Sequence, residues 1–127
     1  MKRDAFPNYL TEIESLKRLH PGPEIYKGLE VDYIPGLIHP GDFSPVLDYT
    51  IGSIHFVDSY QGEHWEIDNT FEIFREGLTN IFHGDIREAV RRYYALTREM
   101  LLEKPPDILG HLDKIKINSL KFYFEET

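Results

Sequence analysis

The chain contains no cysteine among its 127 residues, which excludes both a disulfide framework and a thiolate zinc site. Any bound metal ion must therefore be held by histidine and carboxylate side chains, and the chain has six His and 22 Asp plus Glu. Basic residues are fewer: 14 Lys plus Arg leave a formal net charge of -8. This acidic balance makes nucleic acid a poor candidate for a partner.

Long apolar runs are also missing, because no stretch approaches the ~18 residues of a membrane-spanning helix. The first residues, Met1 to Asp4, show no signal-peptide pattern. These absences predict a cytoplasmic protein with no membrane partner. Hydrophobic residues make up 41% of the chain and aromatic residues 13%, a composition that is typical of a globular domain. No linker divides the chain, so we expect a single domain over residues 1–127.

The first half of the chain alternates helical and strand patterns. Apolar residues at three-residue steps predict a helix over about residues 7–19, and β-rich runs predict strands over about 24–31 and 49–56. A short helical turn is expected at 42–47. Residues 58–68 have no helical period, so we predict a loop there that covers a site at the preceding strand end.

The second half predicts two helices and a further strand. Asn69 and Asp85 are each followed three residues later by Glu, the spacing of a helix N-cap and its partner. The apolar and aromatic positions of these helices recur at the spacing that core packing requires. Pro105 and Pro106 end the second helix, and a short apolar run reaches Gly110. The order predicts an α/β fold with parallel strands.

Three predicted strand ends carry side chains that can bind a metal ion: Glu30, His55 and His111. Active sites of parallel α/β folds lie at the carboxyl ends of the strands, where residues distant in sequence meet. One carboxylate and two imidazoles suit zinc, manganese or iron, so the predicted cofactor is a divalent metal ion. Taken singly, each residue has an ordinary alternative, since a strand His is often a hydrogen-bonded core residue and a Glu after Gly is often a loop carboxylate.

Three blocks of the sequence resemble a known family. Residues 28–36 (GLEVDYIPG), 47–58 (LDYTIGSIHFVD) and 107–116 (DILGHLDKIK) resemble successive blocks of histidinol-phosphate phosphatases of the polymerase and histidinol phosphatase (PHP) family. The resemblance extends over nearly the whole chain. It implies a distorted (βα)7 barrel with a cluster of metal ions. It also implies hydrolysis of L-histidinol phosphate to histidinol and phosphate in histidine biosynthesis.

The resemblance assigns roles to the strand-end residues. Glu30 would be a bridging carboxylate, and His55 and His111 would complete one metal site with it. The expected partner is then a small phosphorylated metabolite. A PHP phosphoesterase acting on another small phosphate is an open alternative.

The chain lacks other parts of the family pattern. It has neither the amino-terminal His-x-His strand nor the carboxy-terminal Asp-x-His strand of the family, and a complete barrel needs ~250 residues. We therefore expect a single partial PHP domain. A non-catalytic fragment that acts only through association is the alternative from a different class.

Several other residues are candidates for roles around the metal ion. His64 and Trp65 could stack on the imidazole of the substrate, and Lys114, or Lys116, could meet its phosphate; a packing anchor and solvated lysines are the alternatives. Asp32 and Asp113 are candidates for orienting a ligand. The remaining histidines, expected to be structural or exposed, are His20, His39 and His83.

The predicted strands are too few to close a barrel, so their outer edges lack neighbours. Unpaired edges favour association with other chains. We expect either a homo-oligomer or a carboxy-terminal segment, residues 117–124, that folds back as an extra strand.

Overall fold

The computed structural model describes residues 3–118, and it shows a mixed α/β fold. The helices are α1 (Phe6–Leu19), α2 (Phe71–Phe82) and α3 (Ile86–Glu103). The strands are β1 (Gly28–Asp32), β2 (Tyr49–Ser53), β3 (Phe56–Tyr60), β4 (Glu63–Glu66) and β5 (Ile108–Leu109). Most of the segment predicted as an extra edge strand, residues 119–124, lies outside the described residues.

A three-stranded parallel sheet places the site. β2 lies in the centre, with β1 on one side and β5 on the other. The register pairs Gly28 with Tyr49 and, at the other end, Asp32 with Ser53. The carboxyl ends of all three strands therefore lie on the same side of the sheet, which confirms the parallel α/β arrangement predicted from the sequence.

The predicted covering loop at 58–68 is wrong, because this segment contains most of a β-hairpin. β3 and β4 pair antiparallel, and Gln61 and Gly62 connect them with φ angles of 52° and 83°. Two successive positive φ angles are the signature of a type I′ hairpin turn. The register shifts between Phe56 and Ser59, and Asp58 has a φ of 57°. This irregularity interrupts the alternation of side chains, which explains why the pattern did not predict a strand.

Strand boundaries also differ from those predicted. β1 begins at Gly28 rather than near residue 24, and β2 ends at Ser53 rather than at Phe56. The chain leaves the parallel sheet at Ile54 and His55 before the hairpin begins, so the predicted single strand over 49–56 is two elements. His55 is consequently a connecting residue beyond the strand end.

Side-chain caps begin both helices of the second half. Asp85 Oδ1 accepts from the backbone N–H groups of Arg87 and Glu88, at 3.0 and 3.1 Å, as predicted. For α2 the predicted cap is one residue early. Thr70 is the cap, and Asn69 instead accepts from the Thr70 N–H at 2.7 Å.

The hydrophobic core lies between the hairpin, α2 and α3. Its fully buried members include Val57, Ile67, Phe74, Tyr93 and Met100, which confirms that the apolar stripes of α2 and α3 serve packing. α1 contributes no buried residue, because its predicted stripe stays partly exposed. None of the helices in the described residues is long and apolar enough to cross a membrane.

Candidate metal site

Glu30, His55 and His111 come together on the side of the sheet where the parallel strands have their carboxyl ends. One ligand atom from each residue lies within 4.8 Å of the other two. The carboxylate Oε1 of Glu30 is 3.2 Å from His111 Nε2 and 3.9 Å from His55 Nε2. The structure thus places the three predicted ligands around one point. We call these residues the triad.

Glu30 comes from the middle of β1 rather than from the strand end predicted for it, and its carboxylate is fixed by the neighbouring strand. Its register partner on β2 is Ile51, and the hydroxyl of Ser53, two residues further along β2, donates to Glu30 Oε1 at 2.7 Å. Ser53 is completely buried, so its hydroxyl holds a fixed direction. The carboxylate is oriented before any ligand arrives.

Asp32 orients His55. The carboxylate of Asp32, at the last position of β1, is hydrogen-bonded to His55 Nδ1. This contact raises the pKa of His55 above its usual value, while partial burial of the ring opposes that shift. With Nδ1 engaged, Nε2 is the nitrogen that faces Glu30. A carboxylate behind a ligating histidine is a recurrent feature of metal sites.

His111 is carried by a tight turn directly after β5. Its φ of 45° lies in the left-handed region, which is uncommon for residues other than glycine. The hydroxyl of Tyr93, on α3, donates to the His111 carbonyl oxygen at 2.5 Å. Burial raises the pKa of Tyr93 to about 12, so the phenol keeps its proton and remains a donor.

Gly110 is required where β5 approaches β2. A Cβ atom at this position would lie 2.3 Å from the Ser53 hydroxyl oxygen. That hydroxyl is the donor to Glu30, so a side chain at residue 110 would displace the contact that orients the carboxylate. The two residues of the Gly-His pair therefore have different roles: Gly110 allows β5 to lie close to Ser53, and His111 supplies a candidate ligand.

A mostly buried ion pair borders the triad. Asp68 Oδ2 lies 3.1 Å from Lys114 Nζ and 4.0 Å from His55 Nε2. Both side chains are about one-fifth exposed. The other oxygen of Asp68 is buried and has no hydrogen-bond partner among the described residues. Lys114, a predicted phosphate contact, therefore lies at the rim of the candidate site.

Other predicted substrate contacts lie elsewhere. Trp65 is in the core, 4% exposed, and its ring packs against Phe74 and Phe82. That burial leaves no open ring face for stacking on a ligand. His64 is exposed on β4, next to Phe56. Neither residue has a hydrogen bond or ion pair with the triad among the contacts found in residues 3–118.

Of the two predicted orienting carboxylates, only Asp32 makes the expected contact. Asp113 is exposed and its side chain makes no capping hydrogen bond. The sequence did not point to Ser53, Asp68 or Tyr93 as parts of the site. Tyr93 looked like a core residue, which it also is. Ser53 and Asp68 have no sequence signal beyond their positions near a strand end and before a helix cap.

The triad offers the donor types that a divalent metal ion binds, at separations close to those of a coordination sphere. Bonds of about 2.0 to 2.2 Å to nitrogen and oxygen place two ligands of a tetrahedral ion roughly 3.3 to 3.6 Å apart. The 3.2 Å and 3.9 Å separations from Glu30 bracket that range. His111 and Glu30 are partly exposed, with 46% and 41% of their side chains accessible, so solvent or a substrate can reach the site.

Comparisons with known proteins add no family to this description. The chain matches no protein-family model, and a search of curated proteins finds no significant match.

Proposed function

We propose that the chain is a metal-dependent phosphomonoester hydrolase resembling histidinol phosphatase. The observation that carries the proposal is the convergence of Glu30, His55 and His111 on the side of a parallel sheet where its strands have their carboxyl ends. The resemblance of the three sequence blocks supplies the substrate, L-histidinol phosphate. It also supplies the proposed architecture, which is part of a distorted (βα)7 barrel.

The residues of the site have separable tasks. Glu30, His55 and His111 would hold a zinc, manganese or iron ion, while Asp32 and Ser53 keep two of these ligands in position. The bound ion would supply Lewis acidity toward a phosphoryl oxygen and would lower the pKa of water near it.

A metal ion held by the triad would have coordination positions free for a phosphate. The triad uses three side chains, whereas four or more ligands are usual for these ions, so coordination positions stay open. The exposed side of Glu30 and His111 gives access from solvent. The Lys114 ammonium at the rim offsets part of the negative charge that Glu30, Asp32 and Asp68 bring to this region.

We expect slow turnover by this chain alone. The family that the sequence resembles uses a cluster of metal ions, and three ligands can hold one. The proposal therefore predicts metal-dependent phosphate release at a rate well below that of an enzyme with the full cluster of metal ions.

The test is phosphate release from histidinol phosphate by purified protein, with added manganese or zinc and after chelation. Activity should depend on the metal and disappear in Glu30→Gln and His111→Ala. His20→Ala is a matched control, because His20 is an exposed residue at the end of α1. Loss of activity in the control, or activity that chelation leaves unchanged, would contradict the proposal.

Assays on the same purified protein also distinguish two alternatives to the proposed function. Release of phosphate from other small phosphates, with none from histidinol phosphate, would favour a PHP phosphoesterase of different specificity. Metal binding without any turnover would favour a non-catalytic fragment that acts through association. The unpaired outer edges of β1 and β5 among the described residues favour that second alternative.

A further inference from the structure

The ion pair between Asp68 and Lys114 joins two segments that also carry the metal ligands. Asp68 directly follows Ile67, a fully buried residue whose N–H donates to the His55 carbonyl oxygen at 2.9 Å. The backbone N–H of Lys114 donates to the His111 carbonyl oxygen at 3.1 Å. Each partner of the ion pair is therefore tied by the backbone to one histidine of the triad.

The lysine side of the pair is rigid at its base. Ile115, the next residue, is completely buried in the core, and a short 3-10 turn runs from Lys114 to Lys116. The hydroxyl of Tyr93 donates to the His111 carbonyl oxygen, which also accepts from the Lys114 N–H, and this holds the start of the turn in place. The ammonium group consequently extends from an anchored backbone, which lowers the entropy lost when it binds an anion.

The free N–H donors of Lys114 suit a ligand with negatively charged oxygen atoms. A lysine ammonium has three N–H donors, and Asp68 accepts from one of them, which leaves donors for further oxygen acceptors. Lys114 is only about one-fifth exposed, so a charge-assisted hydrogen bond there is less screened than on an open surface.

The two oxygens of Asp68 have different surroundings. Oδ1 is buried and has no hydrogen-bond partner among the described residues. Its burial leaves Oδ2 as the oxygen that faces Lys114 Nζ, at 3.1 Å, and His55 Nε2, at 4.0 Å.

We infer that Asp68 and Lys114 form the anion-binding part of the site and select a phosphomonoester, an inference that rests on the proposed metal-dependent function. Lys114 binds the phosphate oxygens directly. Asp68 is a positioning residue that holds the ammonium beside His55. A monoester has more free oxygens and more negative charge than a diester, so it gains more from Lys114.

The first test measures binding of inorganic phosphate to the manganese-loaded protein by calorimetry. Lys114→Met should weaken this binding roughly ten- to a hundredfold, the range for loss of a charge-assisted hydrogen bond. Lys114→Arg should retain most of the affinity because it keeps the positive charge. Lys104→Met is the matched control, since Lys104 forms a similar ion pair with Asp42 outside the site, at 2.9 Å.

Metal affinity and circular dichroism check that the variants are folded and loaded. If Lys114→Met does not fold, Lys114→Gln replaces it. Phosphate affinity that is equal in the wild type and in the folded Lys114 variant would overturn the inference. An absence of phosphate binding by the manganese-loaded wild type would overturn it too.

A double-mutant cycle tests the positioning role. Asp68→Asn should weaken phosphate binding in the wild type but not when Lys114 is already Met. The same loss in both backgrounds would show that Asp68 does not act through Lys114.

Turnover separates this inference from the proposed function. With a phosphomonoester such as p-nitrophenyl phosphate, Lys114→Met should raise KM more than it lowers kcat, and with a phosphodiester it should change KM little. A manganese-loaded wild type that binds phosphate through Lys114 but hydrolyses no ester would remove the proposed function and keep the binding site. Equal effects on monoester and diester would overturn the selectivity.

Discussion

At the scale of single residues, the site depends on contacts that orient side chains before a ligand binds. Ser53 directs Glu30, Asp32 directs His55, and Tyr93 holds the backbone of His111. None of these three residues belongs to the triad. Their removal should therefore weaken metal binding without removing a ligand atom.

Replacing Asp32 tests this idea most directly. Asp32→Ala leaves all three ligands in place but frees the His55 ring, so we expect metal affinity to fall about 10- to 100-fold. Calorimetric titration with zinc or manganese measures it. Asp113→Ala is the control, because that carboxylate is exposed and makes no capping hydrogen bond. Equal affinities in the two variants would mean that Asp32 does not orient His55.

At the scale of elements, the hairpin packs closely against α2 at Gly77, where the helix has no side chain. A Cβ at Gly77 would lie 2.1 Å from the Trp65 ring, so the indole packs directly on the helix backbone. Trp65 also contacts Phe74 and Phe82 of the same helix. The hairpin therefore docks on α2, and the chain between β4 and α2 presents Asp68 to the site.

Gly77→Ala is predicted to destabilise the protein although alanine favours helices. The helix propensity gain is about 1 kcal/mol, whereas overpacking of a core costs typically 1 to 3 kcal/mol. We expect a net loss of up to about 2 kcal/mol in the free energy of unfolding, measured by urea denaturation. Gly22→Ala is the control, because no atom lies within 4 Å of the added Cβ. A stabilised Gly77→Ala would show that the indole moves aside freely.

At the scale of the whole molecule, the pH dependence of stability should carry a contribution from Tyr33. Burial, followed by the Glu103 carboxylate, raises the pKa of this tyrosine above 10.0. The other charged or titratable groups near it are Glu99, Arg92 and His39. Because the unfolded chain ionises first, the stabilisation is complete below pH 10.0 and is lost as the pH rises through the folded pKa.

Tyr33→Phe removes this contribution. Above pH 10.0, the free energy of unfolding of the wild type should fall more steeply with pH than that of Tyr33→Phe. Tyr60→Phe, at an exposed position, should keep the wild-type slope. Parallel slopes for the wild type and Tyr33→Phe would contradict the prediction.

The sheet edges predict self-association. Within the described residues, β1 and β5 each pair only with β2, and exposed apolar side chains accompany the β5 edge at Ile108 and Leu112. We expect a dimer or larger assembly at micromolar concentration in sedimentation velocity. A charge on an edge strand opposes such pairing, so Ile108→Lys should shift the protein toward monomer.

Leu19→Lys is the matched control for that experiment. Leu19 is more exposed than Ile108, at 71% against 48%, but it is the last residue of α1 and belongs to no strand. A wild type that stays monomeric, or a control that dissociates as fully as Ile108→Lys, would refute association through the β5 edge.

Much of the architecture followed from local sequence patterns. Apolar periodicity and the Asp85 cap predicted α3 closely, because helix burial and capping depend on residues near each other in the chain. The short hairpin escaped prediction, since β3 and β4 have only five and four residues and the bulge at Asp58 breaks their alternation. Trp65 was consequently expected on a loop and lies in the core.

The sequence by itself identified the candidate ligands, because Glu30, His55 and His111 stand at or near the ends of three β-rich runs. Only the tertiary structure decided which side chains support them. Ser53, Asp68 and Tyr93 reach the site through strand register, hairpin docking and helix packing. Those contacts join residues up to 46 positions apart, as for Asp68 and Lys114. Their distances depend on the packing of whole elements, which no local pattern encodes.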